Sequence, residues 1–72
     1  MGRHWRVVVE GGDDNLYRIS EYDGTFRAYQ VTIGAFFNEH LDNIGEADSL
    51  EEALVLIMSH SGDEIDRIEE VD

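Results

Sequence analysis

Hydrophobic and polar residues alternate along the first part of the chain with the period of a β-strand. The segment HWRVVVE, residues 4–10, is rich in β-forming residues, and its apolar side chains of one face are Trp5, Val7 and Val9. The glycines and Asx residues of GGDDN, residues 11–15, are typical of a turn. The pattern therefore predicts a first strand followed by a turn.

A β-hairpin is predicted over residues 16–31. LYRISEY (16–22) and TFRAYQV (25–31) have strand patterns, and the Asp-Gly pair between them suits the positive φ angles of a two-residue turn. Pairing Tyr22 with Thr25 across this turn divides the side chains between two faces. One face carries Tyr17, Ile19, Phe26 and Ala28. The other carries Leu16, Arg18, Tyr22, Arg27, Tyr29 and Val31.

A helix is predicted at about residues 49–61. Ser49 followed by Glu52 is the signature of a reciprocal capping box, and Gly62 suits the left-handed residue that ends a helix. The apolar stripe consists of Leu50, Ala53, Leu54 and Ile57. The stripe is widened by three further apolar residues, Val55, Leu56 and Met58. This width predicts burial of the helix on more than one side.

Two further segments have less regular patterns. Residues 32–44 contain apolar residues at helical spacing, namely Ile33, Phe36, Phe37, Leu41 and Ile44, but Gly34 and Asn38 favour an extended segment or a loop. We favour a short helical turn or irregular connection there, with residues 41–47 returning as a strand. The last segment, DEIDRIEEV, is predicted to be a charged edge strand with Ile65 and Val71 on one face and Ile68 on the other.

Together these elements predict one small α+β domain over residues 1–72. Its antiparallel sheet would have three to five strands in the order β-β-β-(β)-α-β, with the helix packed on one face. In a chain of this length, most of the seven aromatic side chains are expected in the core.

The charge of the chain narrows the classes of partner. It has 17 acidic residues against 5 basic ones, all arginine, for a formal charge of −12. Such a chain repels phosphate backbones and anionic membranes, so neither nucleic acid nor a membrane is the expected partner. Three interpretations of the acidity stay open: a cytoplasm with multimolar salt, an ordinary acidic protein, and a decoy that imitates nucleic acid to occupy a basic protein.

Self-association or a protein partner is the interpretation that the composition favours. A chain of 72 residues buries a small core, and without cysteine it forms no disulfide. The hairpin face with Leu16, Tyr22, Tyr29 and Val31 would be a protein-interaction surface, unless a second segment covers it or it is the solvated side of the sheet. The short valine run near the N-terminus is no signal-peptide core, which predicts a cytoplasmic protein.

A rival interpretation is a small ligand-binding or metal-binding protein, or an enzyme. It would use His40 with Glu39 or Asp42, because a carboxylate beside an imidazole can tune a general base. The three histidines have no helical i, i+4 ligand spacing, and SHSG at 59–62 suits a helix end better than a nucleophile. We therefore expect no catalytic residue, no metal and no cofactor.

The stretch NIGEADSLEEALVLI, residues 43–57, passes from a strand into a capped helix. It resembles the β-to-α passage of HicB-type antitoxins, which are small domains that bind a partner toxin. The chain departs from that family's pattern because it has no proline for the turn that precedes this passage. The resemblance implies a sheet-and-helix domain that binds a protein, here a basic one.

Overall fold

A computed structural model describes residues 2–11 and 16–71. The elements follow in the order β1 (Arg3–Val9), β2 (Leu16–Tyr22), β3 (Thr25–Ile33), β4 (Glu39–Ala47), α1 (Leu50–Ser61) and β5 (Ile65–Val71). The strands form one antiparallel sheet in the order β4-β3-β2-β1-β5, with α1 packed on one face. The predicted α+β fold is confirmed. The turn predicted at 11–15 lies, except for Gly11, outside the described residues.

The β2–β3 hairpin forms as the sequence predicts. Tyr22 pairs with Thr25, and Asp23 and Gly24 take positive φ angles of 53° and 83° in the turn between them. The Gly24 N–H also donates to the Glu21 carboxylate at 3.0 Å. The register places Ile19 opposite Ala28 on the buried face, so the predicted division of the hairpin into two faces is confirmed.

Of the two alternatives predicted within residues 32–44, the irregular connection is confirmed for residues 34–38 and the helical turn is wrong. β3 extends to Ile33 and β4 begins at Glu39, so that only residues 34–38 form the connection. Two backbone hydrogen bonds close this turn, Gly34 N–H to Asn38 O and Phe37 N–H to Gly34 O, and Phe37 takes a φ of 63°. Pairing with β3 satisfies the backbone and overrides the helical spacing of the apolar residues. The returning strand predicted at 41–47 is confirmed within β4.

The final strand is present, but the predicted division of its apolar residues is wrong. The pairing with β1 shifts register between Val8 and Val9, because Val9 lies opposite Ile65 and Val8 opposite Arg67. A bulge of this kind moves the side chains beyond it to the other face. Apolar residues of β5 therefore divide differently: Ile65 and Ile68 lie towards α1, and Val71 lies on the opposite face.

The helix begins and ends where its caps predict. Ser49 Oγ accepts the Glu52 N–H at 3.2 Å, while the Glu52 carboxylate accepts from Asp48 N–H at 3.5 Å instead of completing the box at Ser49. Gly62 has a φ of 79° and its N–H donates to Met58 O. The Ser49 cap satisfies an N–H group of the first turn and the Gly62 cap a carbonyl of the last turn, which the helix itself leaves unpaired.

The core lies between α1 and the sheet. Its buried members in the described part of the chain are Trp5, Val7, Val9, Tyr17, Ile19, Ala28, Ala53 and Ile57. Leu56 packs directly on β4, because a Cβ atom at Gly45 would lie 3.0 Å from its Cδ1. The helix is buried on one side only, since Val55 is exposed. No helix among the described residues is long and apolar enough to cross a membrane.

The expectation that most aromatic residues belong to the core is wrong. All seven lie in the described ranges, and only Trp5 and Tyr17 are buried. Phe26 packs at the edge of the core, with its ring centroid 5.7 Å from that of Trp5. The other aromatic side chains, those of Tyr22, Tyr29, Phe36 and Phe37, are half-buried or exposed. They are therefore available for contacts outside the core.

Candidate functional site: the open face of the sheet

The sheet face opposite α1, which we call the open face, collects the residues that the sequence nominates for interaction. Strand registers β1–β2, β2–β3 and β3–β4 place all six on this face: Leu16, Arg18, Tyr22, Arg27, Tyr29 and Val31. The alternation of side chains along paired strands causes this, because each row across the sheet shares one face. The helix lies on the other face, against Ile19 and Ala28.

The apolar part of the open face centres on β3 and β4. Val31 is buried there between Leu16 of β2 and Leu41 of β4, its partners in the two registers. Ile33 and Leu41 leave 58% and 44% of their surface exposed. The turn that joins β3 to β4 carries two more exposed aromatic side chains, Phe36 and Phe37, which are 85% and 88% exposed. Large apolar side chains in one exposed group mark a contact surface more strongly than the same residues scattered singly.

Arginines concentrate on the open face. Four of the five in the chain have registers that place them there: Arg6, Arg18, Arg27 and Arg67. Three of them make exposed or half-exposed ion pairs at 3.1 Å. These pairs are Arg6–Glu69, Arg18–Glu39 and Arg27–Glu46. Within residues 2–11 and 16–71, Arg67 makes no ion pair. Many acidic residues lie instead at the two ends of α1, namely Asp48, Glu51, Glu52, Asp63 and Glu64. The arginine side chains of this acidic protein are therefore concentrated on one face.

A cleft of about 340 Å³ opens on the same face and is lined by His4, Arg6, Arg18 and Val71. Arg6 and Arg18 are directly opposite each other on β1 and β2. One row further along, His4 lies opposite Ser20, and the His4 Nδ1 and Ser20 Oγ atoms are hydrogen-bonded at 2.9 Å. The cleft therefore combines two guanidinium groups with an imidazole and one apolar wall.

The structure separates His40 from Glu39 but leaves His40 and Asp42, the other pair that the rival interpretation offers, on the same side of the sheet. Glu39 lies on the open face and pairs with Arg18, whereas His40 is the next residue along the strand and lies on the other side of the sheet. Asp42 follows on the same side as His40, two residues away, and both are exposed. Among the described residues, no three His, Asp or Glu side chains lie close enough together to hold a metal ion.

Three groups on the helix side, Arg3, Glu70 and Tyr17, have shifted pKa values with clear causes. The Arg3 guanidinium donates two hydrogen bonds of 2.8 Å to the Glu70 carboxylate, which lowers the pKa of Glu70 and raises the pKa of Arg3. Burial, with a smaller contribution from Asp63, raises the pKa of the Tyr17 phenol. Its oxygen lies 3.0 Å from His60 Nδ1, so these groups tie the sheet to the end of α1.

Sequence reasoning missed two parts of this surface. The exposed Phe36–Phe37 tip looked like core because its spacing is helical, although the adjacent Gly34 and Asn38 are turn residues. The cleft was missed because the Arg6–Arg18 pairing depends on the register between β1 and β2. The connection between those strands is too long for turn chemistry to fix that register.

Comparison with protein-family models, curated proteins and solved structures found no match to this chain. The resemblance of residues 43–57 to HicB-type antitoxins thus stays a prediction.

Proposed function

We propose that this protein is a noncatalytic interaction module that forms a homodimer through its open face. The observation that carries the proposal is the combination, on one uncovered sheet face, of exposed apolar side chains and four of the five arginines. Aromatic residues and arginine are the types enriched in protein interfaces.

Charge favours a second copy meeting this face. Two chains of −12 repel each other, and the repulsion is least where each carboxylate already has an arginine beside it. Across a two-fold axis, arginines of one copy can also meet carboxylates of the other, since an isologous interface must be self-complementary. Salt screens the remaining repulsion between the copies, so association should strengthen as salt rises.

The size of the face also suits a dimer. The two longer Cα extents of the molecule are 34 and 25 Å, so a face along these two axes covers at most about 850 Å². A standard-size interface takes roughly 800 Å² from each partner. Burying Ile33, Leu41 and the Phe36–Phe37 tip there would enlarge the small apolar core of each chain, which is what a domain of this length gains from association.

Sedimentation equilibrium in dilute and in multimolar potassium chloride tests the proposal, with circular dichroism of the same samples to verify folding. We expect a dimer that is stronger at high salt. Tyr29→Glu and Leu41→Glu should weaken it by at least tenfold, because each places a charge in the apolar part of the interface. Val55→Glu, on the exposed side of α1, is the matched control and should leave it unchanged.

A folded monomer in both salt concentrations would refute the homodimer, and any partner would then be a different protein. Equal weakening by Val55→Glu would move the interface to the helix side. The Leu41→Glu variant guards against misfolding of Tyr29→Glu, because Leu41 is exposed and near the sheet edge whereas Tyr29 is partly buried.

A further inference from the structure

We infer that the cleft on β5, β1 and β2 is a binding site for a small organic oxyanion, a carboxylate or a phosphate ester, held between the guanidinium groups of Arg6 and Arg18. The inference goes beyond the proposed dimer, and it is tested at low ionic strength, where that dimer is weakest, because a dimer across the whole open face would also cover the cleft. The cleft belongs to the β5–β1–β2 side of the open face, whereas the exposed apolar residues Ile33 and Leu41 belong to β3 and β4.

The first support is the placement of two like charges. Side chains directly opposite on antiparallel strands have Cβ atoms about 4.5–5.5 Å apart, and like charges in such a pair are destabilising. Arg6 and Arg18 occupy directly opposed positions in a chain that has only five arginines and no lysine. An anion between them converts the repulsion into two attractive contacts. Positions that break a local rule in this way are characteristic of functional sites.

The second support is the state of the two guanidinium groups. Arg6 turns to Glu69 on β5 and Arg18 turns to Glu39 on β4, which draws the two groups towards opposite edges of the sheet. Each contact uses one Nη atom at 3.1 Å, and a guanidinium has five N–H donors. Exposed ion pairs of this kind are weak. Both arginines can therefore donate hydrogen bonds to a second oxyanion. Arg3 differs, because its guanidinium group already donates two hydrogen bonds to Glu70.

The third support is the size and lining of the cleft. A volume of about 340 Å³ exceeds that of a bare phosphate or carboxylate group and lies in the range of small-molecule sites. Val71 supplies an apolar wall, and His4, fixed by Ser20, supplies a further polar edge. The ligand class is thus a small organic molecule with an oxyanion at one end, because carboxylate and phosphate oxygens both match the guanidinium fork.

The experiment is an NMR titration of the ¹⁵N-labelled full chain with acetate, benzoate and inorganic phosphate, at a low ionic strength held constant with chloride. We expect saturable shifts at residues around the cleft. Benzoate should bind more tightly than acetate because of the apolar wall. Arg6→Gln and Arg18→Gln should each weaken binding on the order of tenfold or more, because each removes a charged fork. Arg27→Gln, which removes an ion-paired arginine of the same face outside the cleft, should change affinity less than twofold.

The three anions distinguish the two ligand chemistries. Tighter binding of phosphate than of either carboxylate would identify the ligand as a phosphate ester, and tighter binding of a carboxylate would identify it as an organic acid. The inference is overturned if no anion gives saturable shifts, or if Arg27→Gln weakens binding as much as Arg18→Gln, since the face would then attract anions without a site. Sedimentation of the same samples reports the dimer separately, so failure of one proposal is distinguishable from failure of the other.

Discussion

Ile57 is the residue whose truncation tests most directly how α1 sits on the sheet. Its side chain is fully buried in the core, at 0% exposure, whereas Val55 two positions earlier on the same helix is 55% exposed. Ile57→Val removes one methylene group from the buried side. Val55→Ala removes two methyl groups from the exposed side and serves as the matched control.

The structure sets the two magnitudes apart. Removing a methylene group from a packed core through Ile→Val costs about 0.5–1.5 kcal/mol, because the cavity left behind adds to the lost burial. An exposed substitution stays within about 0.5 kcal/mol, and alanine has the better helix propensity. A chain of this length has a total stability of roughly 4–11 kcal/mol at the usual value per residue, so both variants should remain folded.

The assay is urea denaturation followed by circular dichroism at fixed salt. With a slope near 1 kcal/mol/M for a small domain, Ile57→Val should lower the midpoint by about 0.5–1.5 M, and Val55→Ala by less than about 0.5 M. An equal or larger loss for Val55→Ala would refute the reasoning. It would mean that the side of α1 carrying Val55 is packed against protein and that the open face is the wrong surface for association.

Three further predictions concern the ties between elements. Ser49→Ala should cost about 1 kcal/mol in thermal or urea unfolding through loss of the cap to the Glu52 N–H, whereas Ser59→Ala within the helix should cost nothing. Because the pKa of Glu70 in the folded chain lies below its ordinary 4.5, the stability that its contact with Arg3 contributes should be present above pH 4.5 and lost as the pH falls. The urea midpoint of Glu70→Gln should therefore lie below that of the parent chain at neutral pH and converge with it in acid. Because burial raises the pKa of Tyr17 above 10.0, the free energy of unfolding should fall as the pH rises past 10.0, and a phenolate absorbance titration that gives ordinary ionisation of Tyr17 in the folded chain would contradict this.

The sequence predicted the elements whose signals are local. The Asp23–Gly24 turn fixes both strands of its hairpin and their register, and Ser49 and Gly62 fix the helix ends, so these features needed no tertiary information. Residues 32–40 were predicted only in part because helical spacing and strand alternation coexist there. Only pairing with β3 decides between them.

The open face was predictable to the extent that one hairpin defines it. Tyr29 and Arg18 were placed correctly relative to each other because the two-residue turn sets the register. The cleft was not predictable, since it needs Arg6 from a strand joined by a longer connection and Val71 from the far end of the sheet. The bulge opposite Val8 likewise has no sequence signal, so the faces of β5 could not be assigned.

The pairing of β1 with β5 has a consequence for how the chain folds. The contact between Arg3 and Glu70 joins residues 67 positions apart, whereas the β2–β3 hairpin joins neighbours. Closing a loop of this length carries a conformational entropy cost of roughly 3–4 kcal/mol beyond a constant, and such distant contacts form slowly. The central hairpin should therefore nucleate folding, and β5 should add last. In native-state hydrogen exchange, amide protons of β5 should exchange through partial opening, ahead of those of β2 and β3.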